Sequence, residues 1–198
     1  MEIRFTEGNW ERYFDYAYTR RFPDTPKFRQ EPDCIVNADK RDFTSIFLKE
    51  PYTAGAKISF TASFDAYGAP LLVIAKDLIR GEKGELWYGD YQEVVLWENG
   101  VNVWDLWEVA PGSQPECYEK GGPIVQNGIC IDWLLSDTHP LEAGKRHRLT
   151  VELDRRRLKI WVNEHYVMLR VPNLPEKAYL GITGCEGINR FYDLTVDP

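Results

Sequence analysis

The sequence has no apolar run approaching the ~20 consecutive residues that a membrane-spanning helix needs. It opens on Met1-Glu2-Ile3-Arg4-Phe5-Thr6-Glu7, which lacks the basic-then-apolar order of a secretory leader. No membrane partner is therefore expected, and the chain reads as cytoplasmic. Basic residues are in deficit: Lys+Arg number 24 against 31 Asp+Glu, a formal charge of −7. Those 24 are scattered, so the electrostatic footprint that a phosphate backbone requires is missing, and nucleic acid is not expected as a partner. The one basic triplet, Arg155-Arg156-Arg157, falls at a hairpin tip and reads as a solvated turn.

Cysteine is sparse too. Cys34, Cys117, Cys130 and Cys185 lie far apart with no C-x-x-C, which argues against a zinc knuckle or a thioredoxin-type pair and leaves buried thiols as the plain reading. There is no G-x-S-x-G elbow, no phosphate-cradling glycine loop, no dinucleotide fingerprint and no H-x-x-x-H. No cofactor is implied. A structural calcium held by backbone oxygens and single Asp residues at a sheet edge stays open. Internal repeats and low-complexity tracts are also absent.

What the sequence does have is period-two alternation. Hydrophobic residues make up 43% of the 198, enough for one sizeable core. Ile58, Phe60, Ala62 and Phe64 alternate with polar neighbours, as do Leu149, Val151 and Leu153, and then Leu158, Ile160 and Val162. Further strands are expected over 34–37, 44–49, 70–78, 91–98, 101–107, 129–134, 166–171, 179–184 and 190–196. About a dozen short strands in one domain, 1–198, predict an all-β sandwich or jelly roll. Residues 1–33 are expected to add a strand, one short helix and an arm. Trp10, Tyr13, Phe14 and Ala17 fall at helical spacing after Asn9, and Pro23, Pro26 and Pro32 mark the arm. The Pro- and Gly-rich stretch 110–128 exceeds a hairpin turn and reads as a functional loop.

The C-terminal third carries a resemblance. Its successive pieces are Gly144 to Leu153 with His147 opening a strand, Leu158-Lys159-Ile160-Trp161-Val162-Asn163, Leu180-Gly181-Ile182, and Asn189 to Val196 with Phe191 and Asp193. This order resembles the closing strands of the concanavalin A-like lectin/glucanase superfamily, with Glu164 in place of the usual turn glycine. The pattern covers roughly residues 57–198, and small bacterial members associated with polysaccharide breakdown are the most similar. The resemblance implies a concanavalin A-like jelly-roll β-sandwich of two curved antiparallel sheets, with a saccharide on the concave sheet or its rim. It does not by itself imply an activity.

The residues supply candidates. Trp87, Tyr88, Tyr91, Trp97, Trp104 and Trp107 crowd one segment, and flat aromatic faces stack on sugar C–H faces while carboxylates take the hydroxyls. On strand 91–98, Tyr91, Glu93, Val95 and Trp97 share one side and Gln92, Val94 and Leu96 the other. The aliphatic pair belongs in the core, leaving Tyr91, Glu93 and Trp97 for an open groove. On 101–107, Val103, Asp105 and Trp107 oppose Asn102 and Trp104, and the register between the two strands is open. Trp87, Tyr91, Trp97, Trp107, Asp105 and Arg190 are the expected sugar-binding residues.

Glu93 to Glu98 resembles the E-x-D-x-x-E signature of a retaining glucanase family in this superfamily, which implies Glu93 and Glu98 as the catalytic carboxyls. Val95 stands where the signature has Asp, and without a bulge the two Glu face opposite sides. Asp90, Asp105 or Glu108 are alternative partners for Glu93. The expected function is a small glycoside-processing enzyme acting on an oligosaccharide, as monomer or homodimer. The alternatives are a non-catalytic lectin-like module and a lyase acting on uronic sugars through Tyr91, Gln92, Arg80, His139 or Arg190.

Overall fold

The computed structural model describes residues 1–6, 8–37, 39, 43–108, 124–126, 129–135 and 140–198. His139 and most of the 110–128 loop lie outside the described residues. The described strands form two sheets. The smaller runs in the order β17 (His165–Arg170), β16 (Arg157–Val162), β15 (His147–Asp154), β7 (Lys57–Phe64), β19 (Asn189–Asp197), β4 (Ile35–Val36) and β3 (Arg29–Gln30), with β1 (Glu2–Arg4) also on β19. The larger runs β13 (Ile124–Gln126), β14 (Ile129–Leu135), β12 (Gly100–Glu108), β11 (Tyr91–Trp97), β8 (Ala69–Ala75), β18 (Lys177–Cys185), β5 (Phe43–Leu48), β2 (Phe14–Tyr18), β10 (Leu86–Trp87) and β9 (Ile79–Arg80). β6 (Tyr52–Thr53) pairs with the start of β18. All pairings are antiparallel except β10 with β2.

Alternation dictates which faces meet. Ile58, Phe60, Ala62 and Phe64 of β7 and Leu149, Val151 and Leu153 of β15 are buried against Leu72, Ile74, Val94, Leu96, Val101 and Val103 of the larger sheet. This is one apolar layer between two sheets, and it accounts for most of the buried hydrophobic side chains. The larger sheet alone has a second buried cluster, on its opposite face: Phe43, Phe47, Leu71, Val73, Tyr88, Tyr91, Val95 and Leu106.

That second face is concave. Flat, β5 and β11 would stand three strand spacings apart, about 14 Å. Yet Phe47 of β5 and Tyr91 of β11 each meet the same Tyr88 ring with centroids 4.8 Å apart. Arg20, just past β2, likewise reaches Glu108 of β12 at 3.4 Å across five spacings. The sheet curls, as the jelly-roll expectation requires.

The expected helix over Trp10–Ala17 is corrected. Trp10–Tyr13 is a single 3-10 turn, and Phe14–Tyr18 is β2, paired with β5 and β10. Phe14 belongs to the inter-sheet core and Ala17 to the concave cluster, so the two lie on opposite faces, as odd spacing in a strand demands. The alternation Phe14, Tyr16, Tyr18 outweighed the helical spacing. His147, with which β15 opens, is a staple: one ring nitrogen is 2.9 Å from the Glu142 carbonyl and the other 3.3 Å from the Asn163 amide.

Candidate functional site

The register between β11 and β12 decides the site. Glu93 stands opposite Trp104, Val95 opposite Asn102 and Tyr91 opposite Leu106. Directly opposed residues share a face. Asn102, Trp104 and Leu106 therefore join Tyr91, Glu93, Val95 and Trp97 on the concave side. Across the sheet from Glu93 come Val73, then Gly181, then Phe47. One end of this face is sealed. The buried Tyr88 hydroxyl lies 2.7 Å from Ser45 Oγ, which accepts a 2.8 Å bond from Thr183, and its ring covers Phe47 and Tyr91.

The other end is partly open. Trp97 and Trp104 form one wall, and with the Asn102 amide oxygen turned toward it the Trp97 indole donates to that oxygen at 2.8 Å. Phe43 and Phe22 form the other wall, stacked at 4.3 Å with their planes 6° apart, next to Cys185. Phe22 arrives on the strap that follows β2, where Thr19 and Phe22 pair in a tight turn, and this brings its neighbour Arg21 to the same face.

Glu93 is on the floor between the walls, 8% exposed, and its Oε1 has no hydrogen-bond partner among the described residues. Burial pushes its pKa up to about 7. The Arg21 guanidinium pulls it down, and the Glu186 carboxylate at the rim pushes it up. The Tyr91 hydroxyl is also unpartnered, and burial followed by the Glu93 charge holds its pKa well above the usual phenol. A carboxyl with a pKa near neutrality holds a proton in part of the population at pH 7, so it can donate to a sugar oxygen or accept from one.

Several expected site residues lie elsewhere. Glu98 is exposed in the β11–β12 turn, five residues and about 16 Å along the strand from Glu93, far beyond the ~5 Å of a retaining pair. Asp105 points into the inter-sheet layer, where it accepts from Gln92 Nε2 at 2.7 Å and Asn173 Nδ2 at 2.9 Å. Trp107 shares the parity of Asp105 and so faces away from Glu93. Trp87 lies on β10, tilted over Tyr18 at 5.9 Å, with Leu86 and not Trp87 turned to the concave cluster. Arg190 belongs to the smaller sheet, where it bonds Asp65 at 3.0 Å and approaches Glu31 at 3.8 Å. Tyr91 is on the expected face but fully buried under Tyr88 instead of lining an open groove. Glu93 and Trp97 are where the alternation put them.

Trp104, one of the crowded aromatics, joins the site, and Phe22, Phe43, Arg21 and Glu186 complete it without having been singled out for it. Trp104 needed only the register. The others come from segments remote in sequence, and only the curl of the sheet brings them together. Among the described residues no three His, Cys, Asp or Glu side chains converge as metal ligands. Among the described residues no helix is long and apolar enough to cross a membrane.

No family model matches the chain, and no curated protein matches it by sequence. Solved structures match it in fold. The carbohydrate binding module CBM66 from Bacillus subtilis aligns over 94% of this chain and 96% of its own, at 10% identity and TM-score 0.61. A glycoside hydrolase family 16 endo-glucanase from Bacteroides ovatus, in complex with G4G3G-2F-DNP, aligns over 100% and 99%, at 8% identity and TM-score 0.60. The exoplasmic/lumenal domain of VIP36, in its Ca2+/Man3GlcNAc-bound form, aligns over 93% and 83%, at 14% identity and TM-score 0.53. At these identities the likeness concerns the fold. With its two packed sheets, the larger of them curled, and its likeness in fold to these structures, the chain has the concanavalin A-like jelly-roll fold.

Proposed function

We propose that the chain binds an oligosaccharide on the concave face of its larger sheet and that Glu93 supplies acid/base chemistry at a glycosidic or anomeric centre. The observation that carries this reading is Glu93 itself: a buried carboxyl with a free oxygen, set between aromatic walls. A purely structural carboxylate at that depth would be paired. Trp97 and Trp104 offer stacking surfaces on one side, and Phe22 and Phe43 on the other. Arg21 offers a guanidinium to ring hydroxyls. The solved structures of the same fold include a carbohydrate binding module and an endo-glucanase, which is consistent with either binding or cleavage.

A non-catalytic lectin-like module is the second reading. It is favoured by the position of Glu186, the one carboxylate among the described residues whose charge raises the Glu93 pKa, which is at the exposed rim and not facing it as a hydrolase pair would. Three of the five lyase candidates do not combine as a base and a neutralising group on this face, and His139 lies outside the described residues. Gln92 faces the core, Arg190 is in the other sheet, and the Tyr91 phenol is too weakly acidic to work as a base.

Incubation with neutral and uronic oligosaccharides, followed by proton NMR, separates the outcomes. The proposal expects line broadening together with new anomeric signals. Broadening without conversion makes the protein a binder, and neither removes the saccharide reading.

A further inference from the structure

A second concavity, of about 820 Å3, lies where the β15–β16 turn, the turn after β6 and the loop before β18 meet. Three arginines and a lysine line it, Arg155, Arg156, Arg157 and Lys177, against the single carboxylate of Glu176. On a chain of charge −7 this is a local reversal of sign. Arg157 lies 3.7 Å from Asp154, while Arg155, Arg156 and Lys177 make no ion pair among the described residues. The volume falls within the ~300–1,000 Å3 range of small-molecule pockets. Thr53 and Asn173 add polar groups to the wall.

The backbone supplies a second, independent observation. Arg155 has φ +53°, in the left-handed region that hairpin turns normally give to Gly, Asn or Asp. The next hairpin has the same φ of +53° and fills it with Asn163. Arg at this position is a locally unfavourable choice for the turn, and it adds a third guanidinium to the wall of the concavity. Three adjacent guanidinium groups suit an oxyanion, because each presents a planar fork of N–H donors. The pocket is separate from the Glu93 face. Its Asn173 bonds Asp105, which points to the opposite side of the larger sheet.

We propose that this pocket is an anion-recognising subsite that takes a saccharide unit bearing a carboxylate, sulfate or phosphate group. The saccharide part rests on the reading of the Glu93 face, and the anion part stands on the pocket alone.

Calorimetric titration of the full chain with a uronic trisaccharide, its neutral counterpart, a sulfated trisaccharide and inorganic phosphate, at low and moderate salt, tests both parts. Arg155→Asn with Arg156→Ser keeps the turn conformation while removing the charge, and its melting temperature checks the fold. The charged saccharides should bind and weaken at least tenfold in the double variant, with a shallower salt dependence. The proposal is overturned if no charged saccharide binds, if the double variant binds as wild type does, or if the neutral trisaccharide binds equally well at this pocket. Phosphate binding as tight as that of the saccharides would overturn the saccharide part alone. Loss of neutral-sugar binding in Glu93→Gln, with the charged ligands unaffected, would bear on the concave face and leave this pocket standing.

Discussion

Glu93 occupies a position that costs the fold stability. Its folded pKa of about 7 stands above the 4.5 of a free glutamate, so between those values the folded chain keeps a proton that the unfolded chain releases. Unfolding free energy should therefore fall by roughly 3 kcal/mol as pH rises from about 4.5 to about 7, and level off above it. Glu93→Gln should remove that slope and be the more stable protein at pH 8, in denaturant titrations at pH 5, 7 and 8. A variant that instead unfolds would show Glu93 to be a paired structural group. Arg21 acts in the opposite sense, since its charge holds the Glu93 pKa down. Arg21→Ala should raise that pKa above 7, read from the side-chain carboxyl carbon shift in an NMR titration. No upward movement would place Arg21 outside the site.

At the scale of the element, the strands carry the site by register more than by composition. Alternation on β11 was legible in the sequence and put Glu93 and Trp97 on one face. It could not say which set of β12 lies beside them, because both candidate faces contain tryptophan. Hydrogen bonding resolves this as Glu93 opposite Trp104 and sends Asp105 and Trp107 to the other side. The 10–17 segment shows the converse failure, since Trp10, Tyr13, Phe14 and Ala17 fit a helix by spacing while Phe14, Tyr16 and Tyr18 fit a strand. Pairing with β5 decided it. Glu98 could not have met Glu93 without a bulge, and β11 pairs in unbroken register with β12. Gly181 on β18 gives the element its own test. A Cβ there would stand 2.6 Å from the Ile46 carbonyl oxygen and 2.7 Å from the Phe47 ring. Gly181→Ala should cost about 1–3 kcal/mol in chemical denaturation and loosen the Phe47–Tyr88 contact that seals the face. An unchanged midpoint would mean that β5 gives way freely.

Over the whole molecule, one apolar layer joins the sheets, with Phe60 of β7 edge-on to Phe191 of β19 at 5.4 Å and both buried among side chains of the larger sheet. Unfolding followed by tryptophan fluorescence and by far-ultraviolet circular dichroism should therefore give coincident transitions, and Phe60→Ala should lower both together by about 3–5 kcal/mol. Separate transitions would mean that the sheets unfold independently. The sandwich was legible because its signal, period-two burial, repeats along the chain. The groove was not, because the strap bearing Arg21 and Phe22 and the crossing Tyr88 reach it only through the curl of the sheet, which leaves no local trace in sequence.

The most direct test of the account is the anomeric region of the proton NMR spectrum over time, with oligosaccharide added to wild type and to Glu93→Gln. The account predicts new anomeric signals with wild type, and broadening without conversion in the variant. Conversion at the same rate in both, or no effect of either protein on any sugar, would contradict it.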